Sequence, residues 1–154
     1  MSNFTEVSHL NEVMGNHKGD ALTNFNRAHA QFEIIQEELT ELHKALYDRN
    51  FTEIRDGIAD VLVTTYGLSH LLGINADDDM KEVQSSNMSK LCVTELEAAQ
   101  TIEKYESMGV MVSTRGDAPE IAIYSNCSQS DSNGKYYPEG KFLKSINFKE
   151  PVFK

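Results

Sequence analysis

The chain has 154 residues, 40% of them hydrophobic, which is enough for one domain with a modest core. Its 24 acidic side chains against 14 basic ones give a net charge of −10, which argues against nucleic acid or an anionic membrane as the main partner. A phosphate substrate stays open, because a divalent metal can invert the local field of an acidic cluster. The sequence shows no secretory signal and no membrane span, so we expect a cytoplasmic protein with Cys92 and Cys127 as reduced thiols.

The strongest periodic signal predicts a long helix that starts near Asp20 and ends near Tyr47. Apolar residues recur there at alternating spacings of three and four, which places them on one stripe of a helix. We expect this stripe to face the core, and we treat the segment before it as an N-terminal arm. The stripe consists of Phe25, Ala28, Phe32, Ile35, Leu39, Leu42 and Leu46.

A second helix is predicted to follow directly, capped by Asn50 with Glu53 three positions later. It is apolar on most sides between Ile58 and Leu72, which predicts a buried helix. Gly73 has the position of its C-terminal glycine cap.

Two more helices are predicted after Asn75, the first running towards Leu91 and the second from Glu95 to about Met108. Thr94 has the position of an N-terminal cap for the second of these.

The pattern changes after Gly109. Residues 110–112 and 121–124 are typical of two short strands, residues 125–134 are polar and turn-like, and residues 135–154 suggest an extended tail over the helices. We therefore predict a mainly α protein with a single domain over residues 1–154. A bundle of about four helices covers residues 20–108, and a small β hairpin with an extended tail covers residues 109–154.

Three glutamates of the first long helix, Glu37, Glu38 and Glu41, fall within a narrow sector of its surface. Glu38 and Glu41 also flank the core stripe. Because Glu-rich helices are common, this motif alone also fits a solvated acidic face.

Asp60 lies inside the apolar second helix, with Asp56 one turn before it on the same side. An unpaired buried carboxylate costs several kcal/mol, so Asp60 must be neutralised, paired with a cation or bound to a metal. A Lys or Arg partner is one solution. The other is a metal shared with Glu38 and Glu41, because a short connection favours antiparallel neighbouring helices. Such an oxygen-rich cluster suits Mg²⁺ or Mn²⁺ rather than zinc.

The acidic pattern resembles that of the all-α NTP pyrophosphohydrolases, a superfamily with MazG-like and phosphoribosyl-ATP-pyrophosphohydrolase-like enzymes and helical dUTP pyrophosphatases. The resemblance rests on Glu37-Glu38-x-x-Glu41 and on the segment from Asp56 to Leu62. The strings at 86–91 and 140–145 are similar to those of a bacterial and phage branch. The wider family usually has a glutamate where this chain has Gly57.

The resemblance implies a MazG-like helical bundle that cleaves a nucleoside triphosphate, with a deoxynucleotide as the expected substrate, to the monophosphate and pyrophosphate. Glu38, Glu41 and Asp60 carry over as metal ligands, with Asp56 as a substitute for the missing acid and Glu37 as the group that activates water. The implied partners are a nucleotide and further copies of the chain, in a homodimer or homotetramer.

Asn87 and Lys90 are the candidate substrate contacts. Asn87 falls on the predicted apolar stripe of the third helix, where a polar amide needs a partner, and Lys90 can pair with a phosphate. A backbone-bonded amide and a surface lysine are the alternatives. The five histidines are scattered and form no ligand set.

Two other functions stay open. One is hydrolysis of phosphoribosyl-ATP, and the other is a helical oligomerisation or regulatory module without turnover, which the glycine at position 57 favours.

Overall fold

The structure is a computed structural model that describes residues 1–20 and 23–153. In those residues five helices precede two antiparallel strand pairs, which confirms a mainly α protein with a C-terminal β hairpin. The helices are α1 (Asn3–Val13), α2 (Phe25–Tyr47), α3 (Phe51–Leu71), α4 (Ala76–Met88) and α5 (Glu95–Ser107). The strands are β1 (Val112–Arg115), β2 (Ala122–Ser125), β3 (Gln129–Ser130) and β4 (Tyr136–Tyr137). The chain divides into two compact units, residues 1–79 and 80–154.

The first unit contains a helix that was not predicted. The predicted N-terminal arm is α1, which Ser2 caps by accepting a hydrogen bond from the Thr5 amide at 3.1 Å. Phe4 and Val7 are its buried residues. Its apolar residues Phe4, Val7, Leu10 and Val13 recur every three residues, so the sequence carries a short helical signal there.

A buried histidine on α3 holds the segment around α1 in place. The Nδ1 atom of His70 lies 2.6 Å from the Ser8 hydroxyl, and its Nε2 atom lies 2.7 Å from the Asn16 carbonyl. His70 is therefore a satisfied structural residue, as expected for the scattered histidines.

The α2–α3 pair forms the centre of the first unit. The predicted end of α2 at Tyr47 is correct, whereas its described start is Phe25; residues 21 and 22 of the predicted start lie outside the described residues. Asn50 caps α3 as predicted, accepting hydrogen bonds from the amides of Thr52 and Glu53. Gly73 ends it with a φ of +72°, a conformation that favours glycine.

The prediction that α3 is buried is wrong for the single chain. Ile58, Leu62 and Val63 are 49%, 48% and 41% exposed, because α1 and α2 cover only two of its sides. The same holds for the predicted core stripe of α2. Ala28 and Ile35 are buried and Leu42 is half-buried, but its other members, Phe25, Phe32, Leu39 and Leu46, are exposed.

The second unit builds its core from α5 and the C-terminal strands. β1 starts at Val112, two residues after the start of the predicted first strand. It pairs with β2, with Val112 opposite Ser125. The polar segment 125–134 contains β3, which pairs with β4. The predicted tail is extended, but it is part of this core: Tyr137, Leu143 and Ser145 are at most 3% exposed. Cys92 and Cys127 are free thiols.

Among the described residues, no single helix is both long and apolar enough to cross a membrane; only α3 and α4 taken together, with a bend between them, have the required length and composition.

Candidate active site on the α2–α3 helix pair

The amide side chains of Gln31 in α2 and of Asn24, the residue before α2, contact α3, and one glycine of α3 lies between the two helices. Gln31 donates a hydrogen bond to the Thr64 carbonyl at 3.0 Å, and Asn24 donates one to the Leu71 carbonyl at 2.9 Å. Gly57 is buried against Leu42, whose Cβ would lie 3.2 Å from a Cβ added at the glycine. The glycine thus lets the helix backbones approach closely.

This packing also explains the departure from the usual family pattern. Position 57 faces the interface between the helices at Leu42, so a glutamate there would have to displace part of the neighbouring helix. Asp56 and Asp60 are one turn apart and lie beside that interface, on the same side of α3. Asp56 is the acidic residue next to this glycine in the sequence.

The negative charges of acidic side chains on both helices act on Glu38. Its pKa is raised above the ordinary value for a glutamate, first by burial and then by the negative charges of Asp60, Glu41, Glu37 and Asp56, in that order. Two helices thus direct four like charges at one half-buried carboxylate. The antiparallel arrangement expected from the short connection brings the predicted residues of α2 and α3 together.

No cation within the described residues neutralises this cluster. None of its five carboxylates takes part in an ion pair, and Lys44, the nearest lysine on α2, pairs with Asp48 at 3.1 Å. Arg55 lines an open cleft together with Asp56, Thr52 and Ala59 without forming an ion pair to the aspartate. The Lys or Arg partner considered for Asp60 is therefore not found there.

The residues present suit a hard divalent cation, because all five groups are carboxylates. Asp60 and Glu38 are half-buried, whereas Glu37, Glu41 and Asp56 are exposed, so Asp60 is less buried than the apolar sequence around it predicts. In the described part of the chain, no three His, Cys, Asp or Glu side chains are already arranged as a metal site. The fit to a metal thus rests on donor chemistry and shared electrostatics.

The two predicted substrate contacts lie at the end of α4 and just beyond it. Asn87 is exposed, which contradicts its predicted place on a buried stripe: the buried residue of α4 is Ser86, whose hydroxyl donates to the Lys149 carbonyl at 2.8 Å. The Lys90 ammonium donates to the Asn87 side-chain oxygen at 2.6 Å. The side-chain oxygen of Asn87 is therefore bound by Lys90, the other predicted substrate contact.

The acidic side chains of α2 and α3 lie on two packed helices, as expected from the resemblance to the all-α NTP pyrophosphohydrolases. The family model of phosphoribosyl-ATP pyrophosphohydrolase matches residues 7–87. The chain belongs to this family, which is part of the MazG-like all-α NTP pyrophosphohydrolase superfamily. The match starts inside α1 and includes both acidic helices.

A comparison with curated proteins adds a viral relative. An uncharacterized protein of Acanthamoeba polyphaga mimivirus is 34% identical to the chain over 118 residues, which is 73% of this chain and 43% of the relative. The matched part of this chain therefore spans less than half of that protein. Family membership supports a pyrophosphohydrolase, a hydrolase of acid anhydrides, of a kind that typically depends on a divalent metal.

Proposed function

We propose that the chain hydrolyses a nucleoside triphosphate, preferably a deoxynucleotide, to the monophosphate and pyrophosphate with the help of Mg²⁺. The observation that carries this proposal is the raised pKa of Glu38 in the field of four other carboxylates. Like charges held together without a cation destabilise a fold, so their presence on two packed helices calls for a function. Binding of a metal and a phosphate chain supplies one.

Glu38, Glu41, Asp60 and Asp56 are the proposed ligands of Mg²⁺, with Mn²⁺ as an alternative ion. When bound, such an ion polarises the phosphate oxygens and neutralises the charge that develops on them. Glu37 is exposed next to the ligands, which suits it to orient a water molecule and accept its proton. The water oxygen forms a bond to the α-phosphorus, the bond from that phosphorus to the bridging oxygen breaks, and pyrophosphate leaves.

Lys90 and Asn87 form the second part of the proposal. Lys90 is a half-buried point charge whose ammonium is already held by the Asn87 oxygen at 2.6 Å. A positioned ammonium group suits a phosphate, and the amide nitrogen of Asn87 keeps its two donors for the nucleotide.

A second candidate substrate is phosphoribosyl-ATP, favoured by the family model that matches the chain. Its hydrolysis also gives a monophosphate and pyrophosphate, so the same carboxylates serve both reactions. The third possibility, a module without turnover, loses its main support because the packing of Gly57 against Leu42 accounts for the glycine.

We also propose that the chain works as a homodimer or homotetramer. Phe25, Phe32, Leu39 and Leu46 recur every seven residues on α2 and are 49–57% exposed. Heptad spacing of large apolar side chains is typical of a seam between packed helices. Light scattering after gel filtration tests this, with Leu39→Glu expected to yield monomers; a monomeric wild-type protein contradicts it.

Identification of the reaction products tests the proposed activity. The protein is incubated with Mg²⁺ and a panel of deoxynucleoside triphosphates, ribonucleoside triphosphates and phosphoribosyl-ATP, and the products are separated by ion exchange. Monophosphate and pyrophosphate from a triphosphate support the proposal. Diphosphate and orthophosphate contradict the cleavage site, and turnover of phosphoribosyl-ATP alone replaces the first candidate substrate by the second.

A further inference from the structure

A small cavity opens between α1 and α3 in the first unit. Its volume is about 220 Å³, and its walls are mainly apolar. From α3 it is lined by Ala59, Val63 and Tyr66, among others, and from α1 by Val7, Asn3 and Glu6. The ring of Tyr66 is held by a tilted contact with Phe4, at 6.0 Å between the ring centroids.

The cavity adjoins the acidic site along α3. Ala59 lines both this cavity and the open cleft beside Asp56. Tyr66 follows Asp60 by six residues, about 9 Å along the helix axis at roughly 1.5 Å per residue. Six residues also turn the helix by about 600°, so the two side chains point about 120° apart, and a nucleotide that spans them curves around α3 past Ala59.

Two polar side chains at the rim of the cavity have donor or acceptor atoms that no other described residue uses. Asn3 and Glu6 lie one turn apart on the same face of α1, and neither makes a side-chain hydrogen bond to another described residue. The carboxylate of Glu6 is acceptor-only, whereas the amide of Asn3 both donates and accepts. Together with an aromatic wall, this is the chemistry of a site for a flat heterocycle that carries an N–H donor at its edge.

On this basis we propose that the α1–α3 cavity binds the nucleobase of the substrate and that Glu6 selects bases with an exocyclic amino group. The inference rests on the proposed function for the position of the phosphates. Cytosine and adenine offer an amino group to Glu6, with a ring nitrogen beside it for the amide of Asn3. Uracil and hypoxanthine present an oxygen where Glu6 requires a donor, so the carboxylate repels them.

Equilibrium binding tests the proposal independently of turnover. Isothermal titration of the wild-type protein in Mg²⁺ uses the non-hydrolysable α,β-imido analogues of dCTP, dUTP, dATP and dITP. Each pair differs by an amino group against an oxygen. We expect the amino member of at least one pair to bind about tenfold more tightly, which a hydrogen bond to a charged group can supply.

Glu6→Gln is expected to reduce that preference about tenfold, because the new amide can donate to the oxygen of the other member. Glu33→Gln, a change of the same kind on the exposed surface of α2, is the matched control and should keep it. Val63→Phe fills the cavity and should weaken all four analogues, whereas Val13→Phe, at a 72% exposed position of the same unit, should not.

The outcomes separate the two proposals. Equal binding within both pairs by the wild-type protein, or an unchanged preference in Glu6→Gln, overturns the base site. An equal loss for all four analogues in Glu6→Gln also overturns the selective role of Glu6. Selective binding without release of pyrophosphate from any nucleotide keeps the base site and removes the proposed reaction. No binding of any analogue overturns both.

Discussion

Glu38 in the first unit and Glu97 in the second are partly or fully buried, but their pKa values are shifted in opposite directions. Glu97, on α5, is 5% exposed; burial raises its pKa, but hydrogen bonds from Ser145, the Val93 amide and Asn147 outweigh this effect and lower it. Glu38 is less buried, yet its pKa is raised, because burial acts together with four like charges. The first carboxylate is stabilised by hydrogen bonds within the fold, whereas burial and like charges both disfavour the ionised form of the second.

The same contrast holds for the units as a whole. Residues 1–79 carry 14 acidic and five basic side chains, and residues 80–154 carry ten and nine. The second unit closes an apolar cluster in which Cys92, Val110, Ile123 and Leu143 are at most 2% exposed. The first leaves large apolar side chains of α2 and α3 in solvent. These exposed side chains and the carboxylates around Glu38 are the groups that the proposed oligomer and the proposed metal would cover, whereas the second unit buries its apolar cluster by its own packing.

The sharpest test of this contrast is Asp60→Asn. If the carboxylates of the first unit hold a catalytic metal, we expect a loss of turnover on the order of 1,000-fold, with the fold kept, because an amide supplies no charge to the metal. Release of pyrophosphate measures the effect, and circular dichroism checks the fold. Glu33→Gln on the exposed surface of α2 is the control; full turnover in the Asp60 variant contradicts the assignment.

A loss of stability without a role in the reaction is the expectation for Glu97→Ala. The variant leaves the Val93 amide and the Ser145 hydroxyl without their acceptor in a buried place, at a cost of about 2 kcal/mol. Chemical denaturation measures this free energy of unfolding. Unchanged stability means that the second unit does not depend on this carboxylate, and the contrast with Glu38 then fails.

Gly57→Ala probes the close approach of α2 and α3. The added Cβ would lie 3.2 Å from the Cβ of Leu42, tighter than ordinary contacts, so we expect a net cost of about 1 kcal/mol despite the better helix propensity of alanine. Thermal unfolding measures it. Gly134→Ala is no matched control because of its positive φ, whereas Ala59→Gly, also on α3, shows the propensity effect alone. A more stable Gly57→Ala protein means that the helices have room for the acid found at that position elsewhere.

The sequence predicted the parts of the molecule that depend on local signals. The caps at Asn50 and Gly73 follow from local sequence signals, and the influence of Asp56 and Asp60 on Glu38 agrees with the antiparallel helix pair expected from the short connection. Asn87 was misplaced because an apolar stripe does not show which of its members another element covers. The rim of the cavity, Asn3 and Glu6, was missed because its helix was not predicted, although Ser2 before a short helical stretch is a capping signal.

Among these variants, Glu38→Gln has the smallest expected effect on the free energy of unfolding. The direction of that change separates a structural carboxylate from one kept for metal binding. A carboxylate whose pKa is raised in the folded state binds its proton more tightly there than in the unfolded chain. The stability of the wild-type protein therefore falls as the pH rises through the range of that raised pKa. Removal of the charge relieves the repulsion, so we expect the variant to be more stable by about 0.5 kcal/mol at neutral pH, with no gain at acidic pH.

The contribution of Glu97 to stability has the opposite pH dependence, because its lowered pKa gives stability at neutral pH that is lost as the pH falls. Denaturation curves in the absence of metal at pH 7 and pH 4 compare Glu38→Gln with Glu97→Gln. A destabilised Glu38 variant at pH 7 means that its carboxylate is a structural group like Glu97, whereas a more stable variant with little turnover indicates a residue kept at the expense of stability for its role in binding a metal.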